Sequence, residues 1–372
     1  MFDRGQEYPQ SIFQGRFLLT KLIGKGGFGE VYEGIQTSNN DAVAIKMERN
    51  TGKPSFLFHE AHVIQDIQKV RSQDGIAAIA TLKYYGQEGD YRVIIMTLHG
   101  PSLESILEKM KRFSLKTTVM LADQMLTRLE HVHSVGYIHR DLKTDNFLLG
   151  KGVNCQRIFL IDFGLSTKYR TSSCGHRELV TGKSFLGTSR FASLNTHKGL
   201  SQSRRDDMEQ LVYIMTYMYR GRLPWTGLNI KDYDTKEKHI GKLKEQVPVN
   251  EICAKCPRQF SYLLFYVRNM AFTETPHYEM CHALLHSILE EMDPPEQIDN
   301  IFDWDPRAKE IKKPDSLQDG TPLRINIAEK KTSSQAIDGL ANIVSSAKAQ
   351  GMPSGNGTHN QPQNIVSIGN RE

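Results

Sequence analysis

Residues 137–146 read YIHRDLKTDN, and the triplet DFG follows at residues 162–164. Asp141, in the first stretch, is a carboxylate that can accept or orient the proton of a hydroxyl. Asn146 and Asp162 offer hard oxygen ligands of the kind that magnesium takes when it bridges phosphate groups. Either stretch alone is compatible with an ordinary solvated loop or turn. Their order and spacing together predict a site that handles phosphate.

A glycine-rich turn precedes these stretches. Residues 24–29 read GKGGFG, and the following EVYEGI reads as a strand rather than as the helix that a dinucleotide-binding fold needs. A flexible hairpin is the simplest interpretation of such a turn taken alone. Glycines in a hairpin also let backbone N–H groups approach phosphate oxygens closely. The turn therefore predicts a phosphate-covering loop when it is combined with the downstream stretches.

A lysine in an apolar strand follows the turn, at the end of VAIK, residues 43–46. One interpretation of Lys46 is an edge lysine whose ammonium reaches solvent. The other is a lysine that binds nucleotide phosphates and is held by a glutamate of the next helix. Glu60 lies in the middle of the helix predicted over residues 56–70 and is the expected partner.

In this order, the segments predict an enzyme that transfers a phosphoryl group. Phosphoryl transfer needs positioning and charge neutralisation more than covalent chemistry. Asp141 would act on the attacking hydroxyl, and Lys143 would reach the transferring phosphate. The predicted catalytic residues are Lys46, Glu60, Asp141 and Lys143, and the predicted magnesium ligands are Asn146 and Asp162.

The hydrophobic pattern predicts an α+β fold. Short strand-like segments occupy residues 17–47 and 81–97, and between them Leu57, Ala61, Ile64 and Ile67 recur at helical spacing. From Ser102 onward the spacing is mostly helical. The sequence thus predicts a small sheet-rich part with one helix, joined near residues 97–101 to a larger helical part.

Residues 306–372 form a polar segment rich in Lys, Ser, Asn and Gly, which we expect to be a largely disordered tail. Apolar residues at helical spacing over 337–344 leave a short docking helix open. The five cysteines are few and odd in number, which argues against a disulfide framework. We expect the CxxC pair at residues 253 and 256 to be structural or solvent-exposed rather than metal-binding, because no second pair lies at a zinc-site distance.

The segments together resemble the eukaryotic protein kinases over residues 17–305. A narrower resemblance is to the casein kinase 1 family, carried by GPSLESIL at 100–107, HRDLKTDNFLLG at 139–150 and GTSRFASLNTHKGLSQSRRDDMEQL at 187–211. Ser193-Leu194-Asn195 replaces the alanine-proline-glutamate of most kinases, as in that family. The resemblance implies a bilobal fold, with an N-lobe over 17–97 and a C-lobe over 101–305.

The resemblance implies a non-specific serine/threonine protein kinase that uses ATP and Mg²⁺. Met96 would be the gatekeeper, Thr97 and His99 would contact adenine through backbone groups, and Asp207 would anchor the catalytic loop. The implied ATP-contacting residues are Ile23, Gly24, Lys25, Gly26, Gly27, Phe28, Gly29, Glu30, Val31, Ala44, Lys46, Met96, Thr97, His99, Leu148 and Ile161.

The resemblance also implies substrates with an acidic or phosphorylated residue upstream of the target serine or threonine. Such substrates need an anion site, for which Arg190, Gly221 and Lys231 are the candidates. Asn229 stands where the family has a lysine, so Lys231, or Arg222, would have to replace that lysine. Solvated surface charges are the alternative interpretation of these cations.

The sequence leaves two other functions as alternatives. One is a pseudokinase scaffold that uses the same fold without phosphoryl transfer. The other is nucleic-acid binding, suggested by the net charge of +5 but supported by no recognisable binding motif. No segment has the length and apolar character of a membrane span, and we expect a monomer inside the cell, in the cytoplasm, with the nucleus also open.

Overall fold

The computed structural model describes residues 10–26, 29–52, 54–70, 79–171 and 175–309, and all of these belong to one unit, Met1–Asp315. Gly27 and Phe28 of the glycine turn lie outside the described residues. Residues 310–372 of the predicted tail, which include the docking helix considered over 337–344, also lie outside the described residues. The first four residues of that segment, Pro306–Lys309, form a turn of 3₁₀ helix.

The first part of the chain forms a six-stranded antiparallel sheet. Its strands are β1 (Ser11–Ile12), β2 (Phe17–Gly26), β3 (Gly29–Gln36), β4 (Asp41–Arg49), β5 (Leu82–Glu88) and β6 (Tyr91–Thr97). Their order in the sheet is β1-β2-β3-β4-β6-β5. Side chains alternate between the two faces of a strand, so Val43, Ile45 and Met47 of β4 enter the core on one face. Lys46, between them, lies on the opposite face.

A single helix, α1 (Phe56–Gln68), lies between β4 and β5 and packs on β5 and β6. Ser55 caps its N-terminus by accepting a hydrogen bond from the Phe58 N–H at 3.0 Å. The four apolar residues predicted to share one face are buried: Leu57, Ala61, Ile64 and Ile67. This packing fixes the face on which Glu60 lies.

The second part of the chain is mostly helical. Its helices are α2 (Leu103–Met110), α3 (Leu115–Ser134), α4 (Leu194–His197), α5 (Arg204–Arg220), α6 (Tyr233–Gln246), α7 (Val249–Ile252), α8 (Arg258–Asn269) and α9 (Tyr278–Glu290). Helix α3 packs against α5 and α9, and α5 packs against α8. Residues 206–216 of α5 are all buried, as expected for a helix at the centre of a core.

Two small antiparallel pairs of strands interrupt the helical part between α3 and α4. They are β7 (Tyr137–Ile138) with β10 (Thr167–Lys168), and β8 (Phe147–Leu149) with β9 (Ile158–Leu160). Residues 139–146 connect β7 to β8, and residues 161–166 connect β9 to β10. The paired strands therefore hold the two chemistry-bearing loops by their ends.

The predicted division into a sheet-rich part with one helix and a larger helical part is confirmed. Within the described ranges, no helix has both the length and the apolar character needed to span a membrane.

Candidate active site

Lys46 connects the sheet, α1 and the segment after β9. Its Nζ lies 2.7 Å from Glu60 Oε2 and 3.1 Å from Asp162 Oδ1. Burial alone would lower the pKa of the Lys46 ammonium, but the two carboxylates outweigh burial and raise that pKa. The predicted pairing of Lys46 with Glu60 is confirmed. The lysine is thus a fixed cation, held from α1 and from the second part of the chain at once.

The glycine turn joins β2 to β3 beside this lysine. Gly24 pairs with Val31 and Gly26 with Gly29 across the hairpin. Gly29 has a φ of +120°, and a Cβ there would lie 2.0 Å from the Met47 carbonyl oxygen. Only glycine allows this close approach of β3 to β4.

The side chains beside the turn belong to the paired strands β2 and β3. Ile23 is 46% exposed, which leaves its apolar surface available to a ligand. At the tip of the hairpin, Lys25 and Glu30 form an ion pair at 2.7 Å. Of the predicted ATP-contacting residues, the described members of residues 23–31 therefore lie together on one hairpin.

The remaining predicted nucleotide contacts come from β4, β6 and β8. Ala44 pairs with Met96 across β4 and β6, and Met96 is nearly buried. The Thr97 N–H is donated to the Thr81 carbonyl at 2.9 Å, so adenine cannot use that N–H. Leu148 of β8 and Ile161, just after β9, complete this set.

His99 stacks on the Phe159 ring, with ring centroids 4.0 Å apart. Burial, helped by the charge of Lys151, lowers the pKa of His99 to about 4, so its ring is neutral at pH 7. The side chain therefore serves the packing of the segment that joins the sheet-rich and helical parts. The adenine contact through the His99 backbone stays a prediction.

Asp141 lies in the loop between β7 and β8, with both carboxylate oxygens held. Lys143 Nζ lies 2.9 Å from Oδ2, and Thr188 donates its hydroxyl to Oδ1 at 2.7 Å. Asn146 donates its Nδ2 to the Asp141 carbonyl at 2.9 Å. Lys143, which was predicted to reach the transferring phosphate, lies beside Asp141, and the orientation of the carboxylate is fixed from two sides.

The backbone of this loop is held from α5. Asp207 accepts hydrogen bonds from the N–H groups of His139 at 2.7 Å and Arg140 at 2.9 Å, as predicted. Burial would raise the pKa of Asp207, but the hydrogen bond from His133 and the charges nearby lower it. The side chain of Gln210 accepts the N–H of Leu142 at 2.7 Å. The central helix thus binds the backbone N–H groups of three loop residues, one on the far side of Asp141 and two before it.

Asp162 follows β9 in a left-handed conformation, with a φ of 65°. The next residue, Phe163, is 1% exposed and packs edge-on against the His139 ring at 5.1 Å. Burial would raise the pKa of Asp162, but Lys46 outweighs burial and lowers it. Asp162 is therefore an ionised carboxylate at neutral pH, and the packing of Phe163 fixes its direction.

The donor set fits a divalent cation. Asp162 supplies an ionised carboxylate, and Asn146 keeps its amide oxygen as a ligand because its Nδ2 is bound to the Asp141 carbonyl. Oxygen ligands from one carboxylate and one amide are what a hard cation takes when phosphate oxygens complete its shell.

The family model for the protein kinase domain matches residues 17–296 of the 372. The chain belongs to the protein kinase family. It is a kinase phosphotransferase that binds ATP and uses a divalent metal, and the predicted α+β kinase fold is confirmed. The resemblance of the sequence to the eukaryotic protein kinases is therefore confirmed at the level of the family.

In this kinase, Arg190 of the predicted anion site already has an anionic partner. Its Nη1 lies 3.2 Å from Glu104 Oε1, and its guanidinium lies over the Tyr217 ring at 5.1 Å from the centroid. Tyr217 and Thr144 also donate their hydroxyls to Glu104. A substrate phosphate that binds Arg190 must therefore compete with a carboxylate of the kinase itself.

The other two predicted anion-site residues contribute differently. Gly221 ends α5 with a φ of +74°, and its N–H is already donated to the Tyr217 carbonyl at 2.8 Å. Its place in the kinase is that of a helix C-cap. Lys231 is exposed just before α6, and within the described ranges no contact joins it to Arg190. The structure therefore does not bring the three residues into one contact network.

Sequence reasoning missed Thr188 and Glu104. Both lie in motifs quoted for the family resemblance, GTSR and GPSLESIL, but neither was assigned chemistry of its own. Thr188 reaches Asp141 from 47 residues away, and Glu104 reaches Arg190 from 86. Only the fold brings these pairs together.

Proposed function

We propose that this protein is an active serine/threonine kinase of the casein kinase 1 type, which transfers the γ-phosphate of ATP to protein substrates with magnesium as the metal. The observation that carries the proposal is that hydrogen-bond donors hold two carboxylates in fixed positions. Asp141 is held by Lys143 and Thr188, while Asp162 is held by Lys46.

Each residue would act on one part of the reaction. Asp141 would accept a hydrogen bond from the substrate hydroxyl and orient it toward the phosphorus. Lys143, 2.9 Å from Asp141, would neutralise charge on the transferring group and shield the carboxylate. Lys46 would hold the non-transferred phosphates, and Asp162 with Asn146 would hold the metal. When bound, the metal would neutralise phosphate charge.

The lysine two residues after Asp141 supports the serine/threonine class. The position two residues after the aspartate is where this class carries a lysine, and tyrosine kinases usually differ there. Here Lys143 is close enough to Asp141 for a charged hydrogen bond.

The test is transfer of radiolabelled phosphate from MgATP to casein by the full chain, followed by identification of the labelled amino acids. We expect phosphoserine and phosphothreonine. Nucleotide binding without transfer would favour the pseudokinase scaffold, and phosphotyrosine would overturn the serine/threonine assignment.

We also propose a preference for acidic or phosphate-primed substrates, with Arg190 as the main cation. Arg190 is 41% exposed, so a ligand can reach its guanidinium. A phosphate carries more charge than the Glu104 carboxylate and can accept bidentate hydrogen bonds from arginine. Arg190→Ala should therefore reduce kcat/KM more for a primed peptide than for an unprimed acidic peptide of the same sequence. Equal losses on both peptides would remove Arg190 from the anion site.

A further inference from the structure

Three side chains that take no part in the candidate active site meet between α3 and α9. His282 and His286 lie four residues apart on α9, which places them on one helix face. His282 Nδ1 lies 2.6 Å and His286 Nε2 2.8 Å from the same oxygen, Oδ1 of Asp123 on α3. The two nitrogens and the carboxylate oxygen all lie within 4.8 Å of one another. We call these three residues the Asp-His-His cluster.

The chemistry of the cluster points to a transition-metal ion. Two imidazole nitrogens and one carboxylate oxygen are ligands that Zn²⁺ takes in proteins, with the fourth position left to water. Magnesium prefers oxygen ligands and keeps its waters, so the cluster differs in kind from the oxygen donors Asn146 and Asp162. We propose that the Asp-His-His cluster is a zinc site that joins α3 to α9.

Zinc binding would require the cluster to rearrange. Ligand atoms around tetrahedral zinc lie about 3.3 Å apart. Each imidazole nitrogen must therefore move away from Asp123 Oδ1 by about half an ångström, and the two nitrogens, which lie within 4.8 Å of one another, must take up the same spacing. The His286 side chain is 46% exposed and can make this movement, while Asp123 and His282 are more enclosed, at 18% and 23% exposed. The exposed side also gives the ion an entry path and a place for the water ligand.

The charge around the cluster favours a cation. Glu130 of α3 interacts electrostatically with His282 of the cluster. A divalent ion held by one carboxylate and two neutral imidazoles carries a net positive charge, which Glu130 would partly balance.

The helices that the ion would join also support the catalytic loop. His133 of α3 contacts the Tyr278 hydroxyl of α9 at 2.6 Å and Asp207 at 2.9 Å. Asp207 holds the loop backbone, as described above. We therefore assign the ion a structural role: it would stabilise the helix pair behind the loop without entering the reaction.

The test is Zn²⁺ binding to the full chain, measured by competition with a chromophoric chelator in an excess of Mg²⁺ that occupies the oxygen site. We expect one zinc per chain in the micromolar range or tighter. His286→Ala should weaken binding more than about tenfold, since even loss of a supporting residue costs that much at metal sites. His239→Ala, at an exposed position on α6, is the matched control and should bind zinc as the wild type does.

A second measurement distinguishes this cluster from other side chains that could bind zinc, including the cysteines. Co²⁺ in place of Zn²⁺ should give the strong visible bands of a tetrahedral site, without sulfur charge-transfer absorption, and Asp123→Asn should weaken them. Zinc should also raise the Tm of the wild type and not that of His286→Ala. Unchanged zinc affinity in His286→Ala, thiolate absorption with Co²⁺, or no binding would overturn the proposal and leave an ordinary hydrogen-bonded cluster.

Discussion

Thr188 and Lys143 hold the two oxygens of Asp141 from different segments of the chain. A carboxylate held at both oxygens cannot rotate freely, so its hydrogen-bonding direction toward a substrate hydroxyl is set before the substrate binds. Such positioning is worth much in catalysis, because small misplacements of a reacting group cost large factors in rate.

We expect Thr188→Ala to lower kcat by about 10- to 100-fold while the Kd for ATP stays unchanged, because Thr188 positions Asp141 and touches no nucleotide. Thr188→Ser keeps the hydroxyl and should recover most of the activity. Steady-state kinetics with nucleotide binding measured separately would check this. A serine variant as impaired as the alanine variant would show that the hydroxyl is not the relevant group.

Removing the charge of Glu104 should change the substrate preference, if the kinase prefers primed substrates as proposed. The Arg190–Glu104 ion pair is partly exposed, so it contributes at most about 1 kcal/mol, which corresponds to about a fivefold change in an equilibrium constant. Glu104→Gln keeps an acceptor for Thr144 and removes the competing charge. It should raise kcat/KM for a primed peptide by up to about fivefold and change the unprimed peptide less. A fall for the primed peptide alone would contradict competition between Glu104 and substrate phosphate.

At the scale of the elements, the C-terminus of α5 depends on one glycine. A Cβ at Gly221 would lie 2.8 Å from the Lys111 carbonyl oxygen, whereas nothing lies within 4 Å of a Cβ at Gly227, which also has a positive φ. Each alanine substitution costs about 1 kcal/mol because of the left-handed backbone. Only Gly221→Ala has the additional cost of the close contact with the Lys111 carbonyl oxygen.

We therefore expect Gly221→Ala to lower the free energy of unfolding by about 2 kcal/mol and Gly227→Ala by about 1 kcal/mol. Denaturant titration of both variants would measure the difference. If the two substitutions cost the same, the contact with the Lys111 carbonyl does not constrain this helix end.

The packing of α4 on α6 creates an acid-sensitive contact. His197 Nε2 accepts a hydrogen bond from Lys244 Nζ at 3.3 Å, and Lys244 also donates to the Ser189 and Ala192 carbonyls. Burial, together with the charge of Lys244, lowers the pKa of His197 to about 3. Protonating His197 would place two cations in contact in a buried site.

This shift makes the kinase less stable in acid. Above about pH 6.5, His197 is neutral in both states; below it, the unfolded chain binds a proton that the folded chain does not, so stability falls by up to about 1.4 kcal/mol per pH unit. His197→Gln removes this titrating group. The loss of unfolding free energy between about pH 6.5 and about pH 5 should then be smaller by about 1 to 2 kcal/mol. His239→Gln, at an exposed position, is the control. Equal pH dependence in all three proteins, measured by chemical denaturation, would contradict this role.

At the scale of the whole molecule, the sequence predicted the parts whose signal is local. A lysine at the end of a strand and a glutamate in the middle of the following helix were expected to pair as they do in kinases, and Lys46 and Glu60 do so. The motifs of residues 139–146 and 162–164 likewise placed the carboxylates Asp141 and Asp162 in two short loops.

The contacts that were not predicted depend on packing between distant segments. Nothing near Arg190 in the sequence shows that Glu104 of α2 pairs with it, because their contact depends on how α2, α5 and the loop after Thr188 pack. The Gly221 N–H is a different case, because it bonds locally to the Tyr217 carbonyl at the end of α5. Family motifs gave the positions of these residues but not their partners.

The proposed division of roles, in which Asp141 acts on the substrate hydroxyl while Lys46 and Asp162 hold the nucleotide and its metal, is tested by phosphoryl transfer. Wild type and Asp141→Asn would be compared, with ATP affinity determined for both in the presence of Mg²⁺. We expect Asp141→Asn to lower kcat by about 10²-fold or more, the range of general acid–base effects, and to leave the Kd for ATP within about twofold. Full transfer activity in Asp141→Asn, or a loss of ATP affinity equal to the loss of kcat, would contradict this division of roles.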